Sequence, residues 1–159
     1  MKIIPLTKGY FAFVDDDWID EGYKWCYSSG YAVRGVNLNG KHKTIWLHRE
    51  VMNTPDDMET DHRNNYKLDN RKENLRVCTH GENQHNQVVQ PFYSGRLKLS
   101  KYKGVTWHKC GKKWEAHIRV DSEKIHLGLF TLETDAAIAY NVAAKKHFGE
   151  FALLNVIDN

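Results

Sequence analysis

Glu59-Thr60-Asp61-His62, then Asp69-Asn70-Arg71-Lys72-Glu73-Asn74-Leu75-Arg76-Val77-Cys78, then Thr79-His80-Gly81-Glu82-Asn83: this stretch decides the fold. Met58–His62 reads as a strand and Leu75–Cys78 as its antiparallel partner. The loop between them is rich in Asn, Asp and Arg, whose side chains bond nearby backbone and so build turns. Thr79 and Glu82 have the spacing of a capping box, with Thr79 as N-cap and Glu82 reaching back. Asn83 then falls in the first turn of a helix. A strand pair laid against that helix would bring Asp61, His62 and Asn83 together despite their separation in sequence.

Those residue types suit phosphodiester hydrolysis. Asp61 and Asn83 offer oxygen ligands, which fit Mg²⁺ or another hard divalent cation such as Mn²⁺. Asn in the last position argues against zinc, which favours His and Cys. His62 can take a proton from attacking water. Asn74 is expected to bond either the loop or the imidazole. Arg63, Arg71 and Arg76 are the expected phosphate holders. His80 reads as a surface residue at the helix start, and Asn86 lies one turn beyond Asn83.

Working outward, 159 residues can bury one moderate core or two small ones. The net charge of +3 is uneven. Residues 1–60 carry seven Lys/Arg against nine Asp/Glu, residues 61–95 five against four, and residues 96–159 eleven against seven. The basic tilt toward the C-terminus suits an anionic partner. Cys26, Cys78 and Cys110 are odd in number and far apart, which supports neither a disulfide framework nor a cysteine zinc site. No apolar run is long enough to span a bilayer, and the first residues lack a signal-peptide core. An intracellular, reducing setting is expected.

Residues 1–50 read as short strands, Tyr10–Val14, Tyr31–Asn37 and Lys43–Leu47, with Asn39-Gly40 as a hairpin turn. Gln90-Pro91 is expected to end a helix, and residues 91–99, with Ser94-Gly95, to form a linker. Beyond it, apolar residues alternate in Val105 and Trp107, in Trp114, Ala116 and Ile118, and in Ile125, Leu127 and Leu129, the period of half-buried strands. A helix over 133–147 presents Ala136, Ala137, Tyr140, Ala143 and Ala144 to that sheet, with Gly149 closing it. The five tryptophans read as packing residues.

The run Asp61-His62, Leu68-Asp69-Asn70-Arg71, Glu73-Asn74-Leu75-Arg76 and Glu82-Asn83 resembles the HNH endonuclease family in its H-N-N variant, of the phage and mobile-element homing type with a ββα-metal fold. The resemblance implies His62 as general base, Asp61 and Asn83 as metal ligands and Asn74 as the middle structural asparagine. Leu47-His48-Arg49 also looks like this family, as support or phosphate contact. A second segment, Tyr102-Lys103-Gly104-Val105, Trp114 to Arg119, Leu127 to Phe130, Ala136 to Asn141 and Phe148 to Asn155, resembles the APETALA2-type DNA-binding domain. In that family a sheet face enters the major groove. Carried over by position, Lys103, Thr106, His108, His117 and Arg119 would meet double-stranded DNA. The plant domains have more arginine at these places, so the bound sequence does not carry over.

The expected architecture is α+β. An N-terminal β scaffold (1–50) precedes a ββα-metal nuclease module (51–90), a linker (91–99) and a three-stranded antiparallel sheet packed on one helix (100–155). The expected activity is Mg²⁺-dependent cleavage of duplex DNA by a monomer without a protein or membrane partner, in the cytoplasm of a bacterial host if the gene is a phage's. Two other classes stand beside it: a non-catalytic DNA-binding regulator derived from a nuclease, and an RNA-binding protein. The sheet face lacks outward aromatics, which disfavours single-strand stacking.

Overall fold

The computed structural model describes all residues except 20, 89–91, 94, 95, 98, 99, 158 and 159. The chain forms two compact units, Met1–Gln84 and His85–Asn159.

In the first unit, β1 (Lys2–Pro5) and β2 (Phe11–Val14) form an antiparallel hairpin. A three-stranded antiparallel sheet follows, β3 (Cys26–Ser28), β4 (Tyr31–Leu38) and β5 (Lys41–Trp46). Asn39 and Gly40 connect β4 to β5 with φ of 50° and 75°. Two successive positive φ values match the right-handed twist of the flanking strands, which is why Asn-Gly marks this turn. Chain order continues with α1 (Leu47–Met52), β6 (Glu59–His62), β7 (Leu75–Cys78) and α2 (His80–His85).

The strand expected to run through Leu47 stops at Trp46, and Leu47 opens α1 instead. Leu47 is fully buried among Ile4, Leu6, Ala12, Val14, Trp25, Ala32 and Leu68, so the helix starts where the core needs its side chain. Asn53, at φ 46°, ends α1 in the left-handed conformation before Pro55. The border expected at residue 50 therefore falls inside a helix. The N-terminal strands and the β6–β7 pair share one unit.

The hairpin also props the loop between β6 and β7. Phe13 N–H donates to Leu68 O at 2.8 Å, and Asn70 N–H donates to Phe13 O at 2.7 Å. Asn70 is completely buried as a result.

In the second unit, Phe92–Tyr93 (β8) and Arg96–Leu97 (β9) pair antiparallel within the expected linker. The expected helix end at Gln90-Pro91 and the Ser94-Gly95 turn lie outside the described residues. The sheet β10 (Val105–His108), β11 (Lys113–Val120) and β12 (Glu123–Phe130) packs on α3 (Glu133–Phe148). Val105, Ala116, Ile118, Ala136, Ala137, Tyr140 and Ala144 are buried between them.

One expectation fails in β12. The register shifts between Ala116 and His117, so Ala116 pairs Gly128 and His117 pairs His126. Leu127 is the extra residue of this bulge, and beyond it the phase reverses. Leu129 pairs Glu115 on the outer face and is exposed, not inward as strict alternation required. Among the described residues, no helix is long and apolar enough to cross a membrane.

Candidate functional site

β6 and β7 pair in the register Glu59↔Cys78, Thr60↔Val77, Asp61↔Arg76 and His62↔Leu75. Alternation then puts Glu59 and Asp61 on one face and Thr60 and His62 on the other. The capping box forms as its spacing implied. Thr79 N–H donates to Glu82 Oε2 at 2.8 Å, and Glu82 N–H donates to Thr79 Oγ1 at 3.3 Å. Such a cap contributes on the order of 1 kcal/mol and fixes where α2 begins. It therefore fixes Asn83.

Asn83 Nδ2 donates to Glu59 Oε2 at 2.6 Å. Glu59 also faces His80 Nδ1 at 2.7 Å. The bonds from Asn83 and His80 hold the Glu59 carboxyl below the usual carboxylate range. Glu59 was missed in the sequence, although its position two residues before Asp61 puts it on the same strand face. Asp61 itself is buried, and its Oδ2 accepts from Arg76 Nη2 at 2.6 Å and Nε at 2.8 Å. This corrects the role expected for Arg76: facing Asp61 across the strand pair, it is shut away from solvent as the partner of a buried carboxylate and not presented as a phosphate holder.

Arg71 is likewise engaged, by Asp69 through Nε at 2.7 Å and by Glu73. Its guanidinium organises the loop. Arg63 is exposed, and its N–H donates to Asn74 O.

His62 is buried, and burial pushes its imidazole below the ordinary histidine range. The bond with Asn70 and the charges of Asp61 and Asp69 oppose that shift. Nε2 lies 3.4 Å from Asn70 Oδ1. Asn70 Nδ2 donates to Leu68 O at 3.0 Å, which settles the amide's orientation. An oxygen facing Nε2 places the proton there and leaves the lone pair on Nδ1. Asn74 does not serve the imidazole. Its Nδ2 donates to Asp69 O at 2.8 Å and its Oδ1 accepts from Asn64 N–H at 3.1 Å, which staples the loop. Asn70, anchored by β2, helps orient His62.

A cleft of about 320 Å³ opens beside these strands, lined by Tyr31, Trp46, His48, Arg49, Glu59, Thr60 and Asn83. The His48 ring meets the His62 ring edge to face, with centroids 5.1 Å apart. Burial pushes the His48 imidazole down to about 3, helped by His62 and Arg49.

In the second unit, Thr106 and Arg119 are exposed on the outer sheet face. His117 is half-buried opposite His126 on that face. His108 Nδ1 accepts from Gly111 N–H at 3.0 Å, closing the β10–β11 turn. Lys103 departs from expectation. Its Nζ donates to His85 O at 2.6 Å and Gln87 O at 2.8 Å, and burial lowers its ammonium to about 8. It precedes β10 and satisfies backbone carbonyls, so it does not stand on the sheet face beside Thr106.

Over 155 residues the chain is 32% identical to an uncharacterised HNH endonuclease of Acanthamoeba polyphaga mimivirus, covering 95% of this chain and 78% of the relative. The chain belongs to the HNH endonuclease family. The chain is also 47% identical over 58 residues to APETALA2-like protein 2 of Oryza sativa, and 42% identical over 59 residues to an AP2-like ethylene-responsive transcription factor of Arabidopsis thaliana. Those stretches cover 35% and 36% of this chain but only 13% and 17% of the plant proteins. No protein-family model matches the chain.

Proposed function

We propose that this protein cleaves double-stranded DNA by hydrolysis, with His62 as general base and a C-terminal sheet that holds the duplex. The observation that carries the reading is the His62 imidazole, kept neutral by burial and fixed in one tautomer by Asn70. A neutral imidazole held in place can take a proton from water, which is what a base operating near neutral pH needs.

The residues present fit a hard cation. Asn83 gives its nitrogen to Glu59, so its Oδ1 is the atom left for a ligand, and the carboxylates of Glu59 and Asp61 share one face of β6. A Mg²⁺ or Mn²⁺ ion keeps most of its waters and so needs few protein ligands. Asp61 and Asn83 would hold that ion. When bound, it supplies charge stabilisation at the scissile phosphate and the leaving 3′ oxygen. Asn74 keeps the β6–β7 loop in shape, and Arg76 pairs with the buried Asp61 carboxylate.

The outer face of β10–β12, with Thr106, His108, His117 and Arg119, is the proposed duplex-binding surface. The likeness to plant transcription factors supports it, as does the basic C-terminal balance. A two-module arrangement raises the local concentration of DNA at the nuclease site.

Supercoiled plasmid at low salt tests the reading, with Mg²⁺, with EDTA, and with His62→Ala. Nicking or linearisation that needs the metal and is lost in the variant is the expected result. A His62→Ala protein as active as the parent would overturn the assignment. Duplex binding without cleavage of any plasmid, including DNA from the natural host, would favour a DNA-binding regulator.

A further inference from the structure

The cleft holds one imidazole that the proposed chemistry leaves unused. His48 is 7% exposed, yet its ring lines the cleft. Its Nδ1 is buried and has no hydrogen-bond partner among the described residues. A buried polar atom without a partner is costly, so its retention calls for a compensating use.

The position is well fixed. Leu47 before it is in the core, and Arg49 after it clamps the chain entering β6, through Nη1 to Met58 O at 2.8 Å and Nη2 to Pro55 O at 2.7 Å. The ring packs against those of Tyr31, Trp46 and His62.

The chemistry of that position follows from the tautomer. A buried Nδ1 with no acceptor is the poorer place for a proton, because an orphan N–H loses more than an orphan lone pair. The proton therefore sits on Nε2, which, unlike Nδ1, is not among the buried unpartnered atoms. Three other donors along the cleft are already engaged: the Arg49 guanidinium by carbonyls, Asn83 Nδ2 by Glu59, and Thr60 Oγ1 by Thr54 Oγ1.

We infer that His48 is a second catalytic histidine, a neutral Nε2–H donor that hydrogen-bonds a non-bridging oxygen of the scissile phosphodiester. The inference rests on the nuclease reading of this cleft. A neutral donor adds no charge and takes no proton, so it complements His62 without competing for the base's role. It acts in the manner of an oxyanion-hole group, aimed where charge grows as the phosphorus is attacked.

The test uses the full chain and two independent readouts. Long-range ¹H–¹⁵N spectra should show His48 neutral with its proton on Nε2 at pH 7, and that resonance should move on titration with dimethyl phosphate. An Nδ1–H tautomer, an imidazolium, or no response to dimethyl phosphate would overturn the inference. The second readout is hydrolysis of bis(4-nitrophenyl) phosphate with Mn²⁺, a probe that needs no recognition sequence.

His48→Phe keeps a packed ring without a donor, and His48→Gln keeps an N–H near the Nε2 position. Phe should lower kcat by about 10²–10³, the usual effect of removing one such donor, while Gln stays within about tenfold and the pH profile keeps its shape. An active Phe variant beside an inactive Gln variant would make His48 a packing residue and sink the idea. Should the parent protein hydrolyse nothing while the dimethyl phosphate response is present, the nuclease reading falls and the phosphate contact stands.

Discussion

Glu59 Oε2 lies 2.6 Å from Asn83 Nδ2, and because a carboxylate only accepts, this contact fixes which end of the carboxamide faces it. The Asn83 oxygen is thereby left as the atom that the proposed cation would take. Partners that orient a ligand in this way typically change metal affinity 10–100-fold when removed. Glu59→Leu should weaken Mn²⁺ binding by about that factor in calorimetry of the full chain. Equal affinity in the two proteins would separate Glu59, or Asn83 itself, from cation binding.

Asp61 and Arg76 make a buried pair, and the cost of breaking it is asymmetric. Arg76→Leu leaves a carboxylate without its partner in a site where both side chains are about 7% exposed or less. Loss of about 3–5 kcal/mol in urea unfolding is expected. The double variant Asp61→Leu/Arg76→Leu should recover most of it, because neither charge is then stranded. A double variant as unstable as the single one would show that Arg76 acts through something other than Asp61.

What was legible in the sequence was local. Thr79 and Glu82 announce their cap three residues apart, and Asn39-Gly40 announces its turn, since both motifs are satisfied within the segment. Leu75–Cys78 was likewise readable from its position after a turn-rich loop. The site's long-range contacts were not. Asn70 orients His62 only because β2 closes on the loop from 57 residues away, Phe13 to Asn70, and no periodicity signals that. Arg76 looked like a phosphate holder until the register set it opposite Asp61. Opposite charges at mirrored places in two predicted strands were the signal available. His48 sits on a six-residue helix, too short to show a helical period. The reversal at Leu129 depends on a bulge that alternation alone cannot reveal.

The buried His48 imidazole ties stability to pH. Folded, it takes its proton only near 3, against an ordinary value of 6.5 when exposed. Between those values the unfolded chain binds more protons, so stability is complete above about 6.5 and falls as pH drops toward 3. One such proton gives a slope of at most about 1.4 kcal/mol per pH unit. His62, lowered for the same reason, adds in the upper part of that window. Urea midpoints of the parent should fall from pH 7 to pH 5, where Glu59 and Asp69, both held below the usual carboxylate range, are still ionised. His48→Gln should flatten that fall, and an identical slope would mean that His48 titrates normally.

Gly104 holds the C-terminal unit together through what it lacks. Its φ is 74°, and a Cβ there would come within 2.6 Å of His117 O and collide with the Tyr140 ring. Tyr140 is itself buried against the sheet, so it has little room to withdraw. Gly104→Ala combines backbone strain with overpacking and should cost about 2–4 kcal/mol. The check is loss of amide-exchange protection in β10–β12 while β6 and β7 keep theirs. Uniform protection in the variant would mean that the turn relaxes without cost.

Arg119 and Lys103 separate surface charge from structural charge. Arg119 is exposed on the proposed duplex face, whereas Lys103 Nζ is bonded to His85 O and Gln87 O. A phosphate contact releases about one counterion, so Arg119→Ala should weaken binding to any duplex and reduce the salt slope of log K by about 1. Lys103→Met should leave that slope unchanged and lower thermal stability instead, because it strands two carbonyls. Fluorescence anisotropy with a labelled duplex from 50 to 200 mM salt would separate the two. A slope reduced by Lys103→Met, with stability untouched, would put this lysine on the DNA after all.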